Sequence, residues 1–194
     1  REGPELFTMR LEEVINMMLE IELPQLRQID IAYIHKIKQL LVIIAESVPF
    51  IPNVSKISDK IGLNRGTILG YFHYLQEVGL THNLFKETTG ISLLQKPAKL
   101  YLDNPNLIFV LSNSNHNIGN LRETFFANQL RYKHSLTTHP TADFVADNKY
   151  TFEIGGTKKR KTQIADLKDA YLVADNIEYG NHNKIPIWMF GFLY

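Results

Sequence analysis

Two carboxylates in neighbouring runs are the residues of this sequence best suited to chemistry. Asp143 lies in Ala142-Asp143-Phe144-Val145 and Glu153 in Tyr150-Thr151-Phe152-Glu153-Ile154-Gly155-Gly156, and the two runs read as the strands of a hairpin. Side chains on a strand alternate, so an acid and the residue two positions later emerge on one face. Acids on adjacent strands can share a divalent cation, while a lysine two positions after the second acid would steady an attacking water or the phosphoryl charge. Here that position is Gly155, which offers a phosphate only close approach of its backbone. Lys149 and Lys158 stand near enough in sequence to swing in.

The elements that must hold these residues follow from periodicity and punctuation. In the second half, Leu121 to Lys133 reads as a helix with Leu121, Phe125, Phe126 and Leu130 inward. Strands follow near Ser135–Thr138, Ala142–Ala146 and Tyr150–Ile154, then a helix around Gln163–Lys168, a strand at Ala170–Ala174 and a terminal strand over Ile185–Phe190. Trp188, inside that last apolar run, reads as core. The predicted class is α/β (α+β), with a mixed sheet and flanking helices in the order of the restriction-endonuclease-like fold.

In the first half, Phe7 to Leu19 places Leu11, Val14, Ile15 and Met18 on one helical face, and Pro24 breaks the pattern over Glu20 to Gln28. A second helix over Ile31–Ser47 carries Ile37, Leu40, Leu41 and Ile44, and Pro49 and Pro52 follow it. Ser55 to Leu63 reads as a short helix ending at Gly62, and Asn64 is placed to cap a helix from Arg65 to Glu77 that closes at Gly79. Short β-like runs at Leu84–Lys86 and Ile91–Leu94, split by Thr88-Thr89-Gly90, turn this helix-turn-helix into a winged helix. Leu107–Leu111 reads as a buried strand or short helix, and the Asn-rich stretch Ser112 to Asn120 as a loop between domains.

Bulk properties narrow the classes. The chain has 194 residues, 44% of them hydrophobic, enough for one large or two small domains. No cysteine is present, which excludes disulfides, thiolate nucleophiles and cysteine zinc sites and suits a cytoplasmic setting. No long apolar run predicts membrane insertion. A net charge of +1 means that any nucleic-acid affinity must come from a local patch. Candidate contacts are Arg65, Thr67 and His73 on the second helix of the helix-turn-helix, and the basic run Lys158-Lys159-Arg160-Lys161 beside the hairpin, which reads first as a solvated turn and second as a phosphate-backbone contact. The histidines show no metal spacing on a common helix face, and His116, His134, His139 and His182 read as loop residues.

Several runs resemble the C-terminal region of AAA-type bacterial and archaeal ATPases that join a winged helix to a degenerate PD-(D/E)xK nuclease-like domain. They are Ser47-Val48-Pro49-Phe50, Tyr74 to Leu80, Lys99 to Asn104, Gly119 to Phe126, Ala142-Asp143-Phe144, Phe152 to Gly156 and the closing Ile185 to Tyr194. The resemblance implies a helical connector over 1–35, a winged helix over 36–111 and a nuclease-like domain over 112–194. It also implies an ATP-binding N-terminal domain, expected to precede a chain that begins at Arg1; no G-x-x-x-x-G-K-[ST] string occurs here. It draws attention to Glu123, on the helix that supplies a carboxylate in active nucleases. With Asp143 and Glu153 this acid would complete an oxygen site for Mg2+. The opposing reading pairs Glu123 with a neighbouring base such as Arg122 or with a backbone group, and leaves Asp143 and Glu153 to strand-end amides. The expectation is a target-binding or regulatory region, without complete catalysis of its own, that engages DNA, a partner protein and its own ATPase domain. The competing expectations are an active metal-dependent nuclease using Glu123, Asp143 and Glu153, and a pure interaction module.

Overall fold

The computed structural model describes residues 3–86, 95–112 and 117–193. The chain forms two compact units: residues 1–83 with 91–116, and residues 84–90 with 117–194. It is a mixed α and β protein, as expected. The turn at Thr88–Gly90, the strand at Ile91–Leu94 and His116 lie outside the described residues.

In the first unit, α1 (Pro4–Met17) does not stop before Pro24. It passes through a wide turn over Met18–Glu22, where the Leu23 N–H donates five residues back to the Met18 carbonyl, and continues as α2 (Leu23–Arg27). Pro24 sits at the second position of α2, where a missing N–H costs nothing, so the expected break becomes a local widening. The buried stripe is accordingly Ile15, Leu19 and Leu23, while Val14, expected inward, is exposed. Residues 3–35 fall in the same compact unit as the helices that follow.

A short 3-10 turn (Ile31–Tyr33) leads into α3 (Ile34–Ala45), whose Ile37, Leu40, Leu41 and Ile44 are all buried. Then α4 (Val54–Ile61) ends at Gly62 in the left-handed region, φ 73°. Asn64 caps α5 (Arg65–Glu77) by accepting from the Thr67 N–H at 2.8 Å. Ile68, Tyr71, Phe72 and Leu75 form the inner face of α5. β1 (Thr81–Leu84) pairs with β2 (Lys99–Leu102), and Phe50 joins β2 through two 2.8 Å backbone bonds with Leu100. The residues left open between strand and helix form α6 (Pro105–Leu111), capped by Asn104.

The second unit is built on α7 (Ile118–Leu130) and a five-stranded sheet in the order β3 (Leu136–Thr137), β4 (Phe144–Ala146), β5 (Tyr150–Gly155), β6 (Ala170–Ala174), β7 (Lys184–Pro186). β3, β4 and β5 run as an antiparallel meander, whereas β6 is parallel to β5 and β7 to β6. The connection from β5 to β6 is only a 3-10 turn (Lys161–Ile164) in place of the expected helix. Phe126 of α7 is fully buried, with its ring 5.2 Å from Phe144, 5.0 Å from Phe152 and 4.8 Å from Phe190. Leu121 and Phe125, expected inward, are only half-buried.

The C-terminal run is a correction. After Pro186 the chain turns into a 3-10 segment (Ile187–Phe192), not a strand. Three residues per turn send Ile187 and Phe190 inward together, and Trp188, expected as core, is 51% exposed.

Candidate acid and lysine centre

The hairpin register creates the site. Phe144 pairs with Phe152 at the end of the β4–β5 ladder, and Asp143, the residue before β4, lies beside that strand end, where its carboxylate meets β5 next to Glu153. Alternation within β5 turns Glu153 away from the Phe152 ring that meets α7. Asp143 lies just before β4. Its N–H donates to the Phe152 carbonyl at 3.2 Å, and its carboxylate accepts from the Ile154 N–H at 2.8 Å. The turn leading into it is shaped by His139, whose Nδ1 accepts from the amides of Thr141 and Ala142, each at 3.2 Å. Glu153 sits in the middle of β5 and is 2% exposed.

A buried carboxylate needs a cationic or hydrogen-bonding partner, and Glu153 has one. Lys159 Nζ lies 2.5 Å from Glu153 Oε1. The lysine reaches it by passing over Gly155: a Cβ placed on Gly155 would lie 2.6 Å from both Cβ and Cγ of Lys159. Residue 155 shares its face with Glu153, so the carbons of Lys159 occupy the volume that a side chain at 155 would fill. The Lys159 N–H closes the turn by donating to the Gly156 carbonyl at 3.0 Å. The position where the motif calls for a lysine is thus filled by a lysine from four residues downstream.

Electrostatics gather the third acid. Burial works against the Lys159 ammonium, but its hydrogen bond to Glu153 and the charges of Glu153, Asp143 and Glu123 outweigh that cost and raise its pKa above the usual lysine value. Glu123, half-buried on α7, therefore lies within electrostatic reach of the same ammonium. Beside Glu123 on α7, Arg122 Nε donates to Asp175 Oδ2 at 2.9 Å.

Among the described residues, no three His, Cys, Asp or Glu side chains are spaced as a ready-made metal site. Asp143 just before β4 and Glu153 in β5 are the carboxylates that this end of the hairpin offers a hard cation. That set fits Mg2+, which commonly keeps several waters and takes one or two protein carboxylates together with substrate phosphate oxygens.

Of the lysines nearest in sequence, Lys149 is exposed, with Nζ 2.9 Å from the Tyr150 hydroxyl and 4.5 Å from its ring centre. Lys158 and Arg160 are exposed, and Lys161 opens the 3-10 turn. The basic run is therefore split between one inward lysine and outward neighbours. In the sequence, the signal for Lys159 was the Gly155-Gly156 pair, which lets the chain fold back over its own strand end.

On α5, Arg65 is exposed and Thr67 and His73 are half-buried. His73 Nε2 stands 3.6 Å from Glu77 Oε1, and Glu77 is held by a two-pronged contact from Arg27 of α2. The Arg27 guanidinium also lies 5.3 Å from the centre of the Tyr74 ring. That hydrogen bond holds the Glu77 carboxyl below its ordinary range. No helix among the described residues is long and apolar enough to cross a membrane.

Compared with family models, with curated proteins and with solved structures, the chain matches none.

Proposed function

We propose that this chain is the nucleic-acid-engaging region of a AAA-type ATPase, and that its second unit carries a divalent-metal-dependent phosphodiester-cleaving centre. The observation that carries this reading is Lys159, placed over Gly155 and bonded to Glu153 at 2.5 Å. It removes the main objection to catalysis, the absence of a lysine at position 155. Asp143 and Glu153 would hold the cation; when bound, Mg2+ supplies a Lewis acid and lowers the pKa of a coordinated water. Lys159 would steady charge developing on the phosphoryl oxygens, Asp143 is oriented by the Ile154 amide, and Glu123 biases Lys159 toward its charged form.

The test is incubation of the protein with DNA in magnesium and in manganese. Cleavage abolished by Glu153→Ala and by Asp143→Ala is the expected outcome, and intact DNA in both metals would overturn the reading.

A second reading applies to the first unit. The Arg27, Glu77 and His73 contacts engage one side of α5, the helix that would read a groove, and this favours a protein-docking use of the winged helix. Salt-sensitive DNA retention weakened by Arg65→Ala would count against docking; retention independent of Arg65 would support it.

A further inference from the structure

Beside the acids lies a second basic group that this centre does not use. Arg122, on the first turns of α7, is the more buried partner of its ion pair, its side chain 15% exposed. Nε is fixed by Asp175 at 2.9 Å. Asp175 directly follows β6, and its N–H donates to the Gly155 carbonyl at 2.9 Å. The carboxylate that aims Arg122 is therefore tied to the strand end over which Lys159 folds.

With Nε held there, the guanidinium group lies over Gly156. A Cβ on Gly156 would stand 3.3 Å from one of them and 3.5 Å from the other. Any side chain at 156 would press on the fork, so the glycine leaves bare backbone beneath it. This arrangement lies at the carboxyl ends of the parallel strands β5 and β6, the part of an open α/β sheet where ligands commonly bind. A planar guanidinium fixed by a carboxylate is suited to grip a phosphate through two parallel hydrogen bonds.

Resting on the reading of the centre given above, we propose that Arg122 is a phosphate-binding residue, with Asp175 as its positioning residue. Together with Gly156 they form a subsite for the nucleic-acid phosphate next to the one held at Lys159. Around this place the carboxylates of Glu123, Asp143, Glu153 and Asp175 outnumber Lys159 and Arg122, so phosphate binding here requires a divalent cation.

The experiment measures fluorescence anisotropy of a short fluorescein-labelled DNA duplex against salt concentration, with calcium present, for the whole chain and its variants. Arg122→Gln is expected to weaken binding about tenfold and to lower the salt slope by about one, the signature of a lost phosphate contact. Arg122→Lys keeps the charge but not the fork and is expected to lose at least about fivefold; it also decides the matter if Arg122→Gln fails to fold. Asp175→Asn separates positioning from bulk charge, since removing a negative charge would by itself strengthen binding, whereas loss of aim weakens it. Wild-type affinity and slope in Arg122→Gln, wild-type affinity in Arg122→Lys, or tighter binding by Asp175→Asn would overturn this subsite alone, provided the wild type binds DNA. A wild type that neither binds nor cuts DNA would overturn the centre and the subsite together.

Discussion

The two units treat charge in opposite ways. In the first, the helix-turn-helix is assembled by caps and apolar faces, and Arg27 and His73 both meet the partly exposed Glu77. In the second, a carboxylate that is 2% exposed sits in a strand and is matched by a lysine threaded over a glycine. Surface pairs are weak and screened by salt, whereas a buried acid persists only with a partner held in place. The first unit therefore presents a shape, and the second holds a preorganised constellation. Perturbed and partly buried groups of the second kind are where chemistry is most often found.

Phe126→Ala tests the scaffold of the second unit and carries the largest expected effect. Its ring joins Phe144, Phe152 and Phe190, so truncation should cost about 3–5 kcal/mol in denaturant unfolding. A loss below about 1 kcal/mol would show that α7 does not anchor the sheet.

Next comes Gly155→Val. The new side chain claims the space of Lys159, so cleavage should fall on the order of 100-fold, with circular dichroism unchanged. Wild-type activity in this variant would mean that the lysine need not pass there.

The pH dependence separates the units further. The pKa of Lys159 is raised on folding, so the stability it contributes is full below the ordinary lysine value of 10.5 and is lost as pH rises through the higher folded value. The alkaline limb of activity assigned to Lys159 should accordingly lie above pH 10.5. Glu77 runs the other way: its lowered pKa contributes stability above the ordinary 4.5 that is lost as pH falls through the folded value. Glu77→Gln should therefore lower the melting midpoint slightly at neutral pH, with the difference vanishing in acid. The smallest effect belongs to Arg65→Ala, expected to reduce the salt slope of DNA binding by about one without changing sequence preference.

Sequence made the first unit legible because its signals are local. Gly62, Asn64 and Gly79 punctuate the helices, and the Ile37, Leu40, Leu41, Ile44 stripe needs only a period of 3.6. The hairpin that carries Glu153 was equally readable, since alternation and a turn suffice. Lys159 was not assigned to the acids, because its role depends on a chain reversal at Gly155-Gly156 and on burial of Glu153, both tertiary facts. Arg122 and Asp175 are 53 residues apart, and no local pattern joins them. Two misreadings have similar causes. Pro24 predicts a break only if the helix cannot widen before it, and the apolar run Ile185 to Phe190 carries no period that separates a strand from a 3-10 turn.

The central claim is that Lys159 does the work of the lysine missing from position 155. The most direct test compares magnesium-dependent DNA cleavage by the wild type, by Lys159→Ala and by the double variant Gly155→Lys with Lys159→Ala. The account predicts a loss of about 100-fold or more in Lys159→Ala and substantial recovery when the lysine returns to the strand. Cleavage by Lys159→Ala at the wild-type rate would contradict it.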